Sequence, residues 1–164
     1  MFEIRQVRES DIENVAKLYV KVYSEFLPNE GWTFETALNF CKYNFDKQQD
    51  LFFVAEQQDQ IIGFSFGYIK PWSDGNQLMG EELVVDQKYH RNGIATQLFK
   101  ILVATAYDKY KITLVNGTTY EGHNQMPYSW YKRIKFNKVD DLFLVAGKPA
   151  DILHCLSVNK TTKS

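Results

Sequence analysis

Cysteine and histidine are scarce in this sequence. Its 164 residues include two cysteines, Cys41 and Cys155, and three histidines, His90, His123 and His154. The cysteines are far apart and the histidines stand singly. This excludes a disulfide framework and the clustered spacing of a zinc site, so two reduced thiols and no metal are expected. No segment is repeated or of low complexity. No apolar run approaches the length of a membrane span. The opening Met1-Phe2-Glu3-Ile4-Arg5-Gln6-Val7 lacks the basic start and apolar centre of a signal peptide. The net charge of −1 gives no general drive toward nucleic acid or an anionic surface. These absences predict a soluble cytoplasmic protein without nucleic-acid or membrane partners.

What is present describes an ordinary globular chain, 45% hydrophobic and 24% charged, of a length that suits one domain over residues 1–164. Aromatic residues reach 15%, which fits either a large cleft or an aromatic core. Phe2 to Val7 alternates as a half-buried strand. Ser10 with Glu13 reads as a capping box opening a helix whose stripe is Ile12, Val15, Ala16, Tyr19, Val22, Tyr23 and Phe26, and which stops before Pro28. Thr33 is placed to cap a second helix, with Phe34, Ala37, Leu38, Cys41 and Phe45 along its apolar side. Residues 51–56 and 61–68 read as a hairpin, with Gly63 and Gly67 marking close backbone approach or a bulge. Residues 71–76 read as a loop and 80–86 as a strand. A helix, a strand over 111–118, a turn at 121–123 and a short helix opened by Pro127 follow. Strands are expected over 139–145 and 151–158.

The most informative stretch runs from Leu83 to Phe99. Leu83, Val84 and Val85 form the end of a strand, whereas Ile94, Leu98, Ile101, Leu102 and Thr105 are spaced as a helix. A basic hinge, Lys88 to Gly93, joins them. A strand-loop-helix unit of this kind points backbone N–H groups at a helix start into one concavity, which suits a phosphate group. Gly93 allows close approach, and Ala95 keeps the next turn small. The loop has neither the Gly-Lys-Ser/Thr of a P-loop nor the three glycines of a dinucleotide fingerprint.

The segment His90-Arg91-Asn92-Gly93-Ile94-Ala95 resembles the pyrophosphate loop of GNAT-type N-acetyltransferases: Gln or Arg, two residues, Gly, one residue, then Gly or Ala. His90 stands at the Gln/Arg position. A second stretch, Asn124 to Phe136, resembles that family's late motif at Asn124, Tyr131 and Phe136. Here Pro127 stands at the usual Ala and Lys135 at the usual Gly. The element order is that of the family as well. The resemblance implies a GNAT fold of the α/β class, a mixed, mostly antiparallel central sheet with helices on both faces. It implies acetyl-CoA as cosubstrate, with pyrophosphate on His90, Arg91, Asn92, Gly93, Ile94, Ala95 and Thr96. Pantetheine would lie along Leu83, Val84 and Val85, with Asn124 and Tyr128 beside it.

Tyr131 would serve the leaving thiolate; the alternative is one more packed aromatic. An amine acceptor must lose a proton, and a carboxylate on the strand before the loop is the expected base. Glu81 and Glu82 alternate in direction, so only one faces the cleft. Counting back from Val85 favours Glu81, and a bulge would substitute Glu82. Phe26, Glu30, Trp32 and Trp72 are candidates to touch the acceptor, with packing as the other account of Trp32. The expected partner is a small-molecule amine, of polyamine, aminoglycoside or amino-acid type, and a homodimer is allowed. Competing readings are a protein N-terminal or lysine acetyltransferase, an acyl-CoA-binding module without turnover, and an interaction domain without nucleotide.

Overall fold

The computed structural model describes residues 1–119, 127–140 and 144–158. They divide into two units, Met1–Thr118 and Thr119–Ser164. In chain order the first holds β1 (Glu3–Gln6), α1 (Ile12–Phe26), α2 (Phe34–Gln48), β2 (Phe52–Gln57), β3 (Gln60–Trp72), β4 (Gly75–Val85), α3 (Ile94–Tyr110) and β5 (Leu114–Gly117). The second holds α4 (Pro127–Arg133) and α5 (Pro149–Val158).

The strands form one sheet in the order β1-β2-β3-β4-β5, antiparallel except for the parallel β4–β5 pair that α3 connects. Strand alternation divides the core between the two faces. Phe52, Val54, Phe64, Phe66 and Val84 pack with Val15, Ala16 and Tyr19 of α1 and Ala37, Cys41 and Phe45 of α2. Phe53, Ala55, Ile62, Leu78 and Val85 pack with Ile94, Leu98, Leu102 and Ala106 of α3. Helices therefore cover both faces. Gly63 is what lets α3 lie this close: a β-carbon there would sit 3.0 Å from the Val84 carbonyl oxygen and 3.3 Å from Ile94 and Leu98 side-chain atoms.

Local chemistry sets the start of α2 and the β2–β3 turn. Thr33 Oγ1 accepts from the Thr36 N–H at 3.2 Å and caps α2. Gln58 and Asp59, at φ 52° and 60°, make the left-handed two-residue turn of the β2–β3 hairpin.

Several expected elements differ. The Ser10–Glu13 box is not what leads into α1. The Asp11 carboxylate instead accepts from the Arg8 N–H at 2.7 Å and from the Arg5 guanidinium at 2.6 and 3.0 Å, closing a short turn over Glu9–Asp11. An ion-paired, doubly bonded carboxylate outcompetes a neutral hydroxyl for that role. The 71–76 loop is also shorter than expected, because the ladder continues through Trp72↔Gly75 and leaves only Ser73 and Asp74 to turn. Residues 151–158 are helical, not extended. Pro149 opens α5, and Ile152, Leu153 and Leu156 recur at helical spacing. Of the strand expected at 139–145, residues 139–140 and 144–145 are irregular, and 141–143 lie outside the described residues, as does the 121–123 turn.

Candidate active site

The β3–β4 ladder is irregular where Glu81 and Glu82 lie. Phe66 pairs with Glu82, and the next residue of β3, Gly67, pairs with Gly80, so Glu81 is the extra residue of a bulge. Gly67 fits this close passage, since a β-carbon on it would lie 2.5 Å from the Met79 carbonyl oxygen. The bulge leaves Glu81 exposed and turns Glu82 toward α1, half-buried. There the Tyr19 hydroxyl donates to Oε1 at 3.0 Å and the Tyr23 hydroxyl to Oε2 at 2.8 Å. Burial pushes the Glu82 carboxyl up to about 7; the two phenols pull it down, and the charges of Glu81 and Glu30 add to the rise. A carboxyl with that affinity can exchange protons near neutrality.

Aromatic side chains line the α1 side of this carboxyl. The Tyr19 and Tyr23 rings stack with centroids 4.3 Å apart, and Trp32 meets Tyr19 edge-on at 4.8 Å. The Trp32 indole N–H donates to Glu30 Oε2 at 2.8 Å. Phe26 ends α1, half-buried. Trp32 therefore packs and also stands at the carboxyl's surroundings. Trp72 is not brought here. It lies six residues beyond Phe66 on β3, ~20 Å along the strand, exposed and with Lys70 Nζ 4.4 Å from its ring centroid.

Beyond Val85 the chain enters the loop. The Asp86 carboxylate accepts from the Lys88 N–H at 3.1 Å and from Lys21 Nζ at 2.6 Å. The Asn92 side-chain amide donates to the Tyr89 carbonyl at 3.2 Å. His90 does not extend outward as a long Gln or Arg would. Its Nε2 donates to the Val85 carbonyl at 2.9 Å and ties the loop to the strand it leaves. Arg91 and Gly93 are left-handed, at φ 65° and 77°. Gly93 precedes α3 with no side-chain cap, and the first backbone bond of the helix runs from the Gln97 N–H to the Gly93 carbonyl. The Ile94, Ala95 and Thr96 N–H groups therefore have no partner within the helix. Arg91, Asn92, Gly93 and Thr96 are exposed, Ala95 is half-buried and Ile94 is buried against the sheet. A β-carbon built on Gly93 meets nothing within 4 Å, so the approach to these donors is open. On β4, Val84 faces the α1–α2 core, and Leu83 and Val85 face that of α3.

The sequence matches the family model described as the acetyltransferase (GNAT) family over residues 13–136. The chain belongs to the GNAT acetyltransferase family. No curated protein sequence matches it. Among solved structures it is similar to an integron cassette protein from the mobile metagenome of V. cholerae, at a TM-score of 0.73, 18% identity, and coverage of 99% of this chain and 98% of that one. It is similar to the aminoglycoside N-acetyltransferase AAC(6')-Iy in complex with CoA, at 0.71 and 17%, over 90% and 95%. It also resembles a transcriptional regulator from Bacillus halodurans C-125, at 0.70 and 18%, over 90% and 100%. At these identities the likeness shows the fold.

The family's late motif has a local physical basis in the second unit. The Phe136 N–H bonds the Tyr131 carbonyl at 3.0 Å, and the Lys135 N–H bonds the Lys132 carbonyl at 3.1 Å. With Lys135 left-handed at φ 73°, this is a Schellman ending of α4. Tyr131 and Phe136 are its apolar pair, with ring centroids 5.2 Å apart. The position is one that glycine adopts without strain, so lysine there costs about 1 kcal/mol. Tyr128 is half-buried, with Lys132 Nζ 5.7 Å from its ring centroid. Asn124 lies outside the described residues.

Tyr19 and Tyr23 went unrecognised in the sequence as site residues. They sit four apart on the apolar stripe of a helix, where tyrosine reads as core. The signal that was available is their hydroxyls, which require partners when buried.

Proposed function

We propose that the chain transfers an acetyl group from acetyl-CoA to a primary amine of a small molecule, directly and within a ternary complex. The observation that carries this is the make-up of β4. Its end opens into a loop of outward N–H groups, and Glu82, three residues before Val85 and ~10 Å back along the strand, is a carboxyl poised near neutrality. The loop from His90 to Thr96 would hold the pyrophosphate on backbone donors, with His90 fixing the loop rather than touching phosphate. Leu83 and Val85 would flank the pantetheine. An acceptor arrives as an ammonium. Glu82 takes its proton, directly or through one water, and the freed nitrogen attacks the thioester carbonyl. The carbon–sulfur bond then breaks; Tyr131, with Tyr128 and Asn124 beside the cofactor arm, is assigned to protonate the departing thiolate, and the second proton lost from nitrogen returns to the tyrosinate through water. The aromatic wall of Trp32, Tyr23 and Phe26 beside Glu30 and Glu82 suits a cationic amine carried on apolar carbon. Trp72 can reach such an acceptor only if the acceptor is long. Glu81, exposed on the bulge, is the runner-up base. We assign the whole of residues 1–164 to one acetyltransferase domain acting in the cytoplasm.

A second reading is an acyl-CoA-binding regulatory module. It is favoured by the substitutions at His90 and Lys135 and by the likeness to a protein named as a transcriptional regulator. Free-thiol release from acetyl-CoA over a panel of amines separates the two: binding without release on any amine supports the module.

The cofactor assignment has its own test. A β-carbon on Gly93 meets no atom within 4 Å, and the left-handed backbone there costs a side chain about 1 kcal/mol, so Gly93→Asp should fold with a modestly lowered Tm. It places a negative charge before the donors that would meet a pyrophosphate. Acetyl-CoA affinity should fall on the order of tenfold or more. Unchanged affinity by calorimetry would remove the loop from the cofactor site.

A further inference from the structure

Both oxygens of Glu82 are engaged by phenols of one helix, one turn apart. That arrangement uses more of the structure than holding a carboxylate requires. Tyr19 is fully buried, and Tyr23 is half-buried and stacked on it. Trp32 braces Tyr19 edge-on at 4.8 Å, and Phe40 lies 5.4 Å from it, so neither phenol can swing away without unpacking the α1–α2 face. The geometry points to Tyr19 and Tyr23 as positioning residues that hold the Glu82 carboxyl and set its proton equilibrium, so that α1 determines the pH range in which the enzyme works. The inference rests on Glu82 being the base of the proposed reaction only for its effect on turnover, not for its effect on the carboxyl itself.

The balance of groups around Glu82 gives the sign. On α1 the two hydroxyls donate to the charged form and favour it. Burial opposes them, and so do Glu81 on β4 itself and Glu30 in the turn over Pro28–Glu30. On α2, Cys41 is buried, and its thiol is pushed up to about 12 by burial and then by the Glu82 charge, so it stays neutral and silent. The phenols are themselves pushed well above the usual tyrosine range, by burial and then by the Glu82 charge. They remain donors throughout the range in which Glu82 titrates. Removing either hydroxyl therefore costs the carboxylate one charge-assisted bond, and its proton is held more tightly.

Two readouts test this. The first is the carboxyl carbon of Glu82, followed by NMR in protein labelled at glutamate, with Glu82→Gln for assignment. Tyr23→Phe should raise the midpoint by about one pH unit, which corresponds to a tenfold change in proton affinity. Tyr19→Phe should do the same, and the double variant should move it further. The second is the pH dependence of kcat/KM. The same variants should lose about tenfold at the acid end and recover the parent rate above the shifted midpoint. Each substitution keeps the ring, and far-UV circular dichroism and Tm identify any variant whose α1 has moved. Tyr23, the less buried of the two, carries the test if Tyr19→Phe does not fold. A midpoint by NMR that stays put, or moves down, in the folded variants overturns the inference. A midpoint that rises by NMR while the pH–rate profile is unchanged upholds the hold on the carboxyl, but overturns the control of the working pH range and removes Glu82 as the base.

Discussion

Glu82→Gln should lower acetyl transfer by on the order of 10²- to 10⁴-fold, the usual contribution of a placed acid or base. The loss should be largest above about pH 7, where Glu82 is ionised, as long as the acceptor still carries its proton, and should shrink at lower pH, where the parent's base is itself protonated. Glu81→Gln should do much less, because the bulge leaves that side chain in solvent. Acetyl-CoA affinity should be unchanged in both. The same substitution has a second consequence, free of any assumption about chemistry. The Glu82 carboxyl sits at about 7 in the folded chain, against an ordinary value of 4.5. Between those values the folded state binds a proton that the unfolded state has released. Stability from this group is therefore complete below about 4.5 and is lost as pH rises through about 7. Glutamine mimics the protonated carboxyl and does not titrate. Glu82→Gln should match the parent's Tm at pH 4.5 and exceed it at pH 8.5, by an amount reflecting at most about 3 kcal/mol. A variant no more stable than the parent at pH 8.5 would mean that the carboxyl is not destabilised by its burial, and the assignment of the base would lose its physical ground.

The parts of the site that were legible from sequence are those specified by neighbours in sequence. The strand from Leu83 to Val85, the hinge ending at Gly93 and the stripe of α3 each follow from local composition, and the structure has them together. Thr33 shows the same at the start of α2; residues 151–158 do not, being expected as a strand and found as a helix behind Pro149. In that segment, Ile152, Leu153 and Leu156 form an apolar run short enough to fit either period, which is the usual ambiguity of such runs. What could not be read was set across the chain. Which glutamate turns inward depends on a bulge, and the bulge is fixed by how Phe66 and Gly67 pair with Gly80 and Glu82, thirteen or more residues away. Which residue leads into α1 depends on Arg5, which reaches Asp11 and Glu56 together. The role of the two tyrosines exists only once α1 lies on the sheet over Glu82. His90 shows a third case. Its identity departs from the family pattern, and only the bond to the Val85 carbonyl shows that the departure changes the side chain's task from reaching outward to fastening the loop.

Tyr131→Phe should lower turnover on the order of 10²-fold if Tyr131 serves the leaving thiolate, as its place in the late motif implies. Tyr131 contributes two things to the helix ending: its backbone carbonyl, which accepts from Phe136, and its ring, which meets the Phe136 ring edge-on. Phenylalanine keeps both, so the helix ending itself should be retained, which Tm and far-UV circular dichroism check. Acetyl-CoA affinity should also be nearly unchanged, because a donor to the sulfur gains strength only as charge develops there. Tyr128 supplies the control. It is three residues back on the same helix, close to the same face, and also half-buried. Tyr128→Phe should lose severalfold at most. A lost proton donor has a further signature, since acceptors and conditions that make thiolate departure easier should narrow the gap between Tyr131→Phe and the parent. A thioester of a more acidic thiol than CoA, supplied as the acyl donor, tests this directly. If Tyr131→Phe turns over at the parent rate with acetyl-CoA on the best amine found, the tyrosine is only the apolar half of the Schellman pair. The family's conjunction of Tyr, Gly and Phe would then be explained in this chain by helix termination alone.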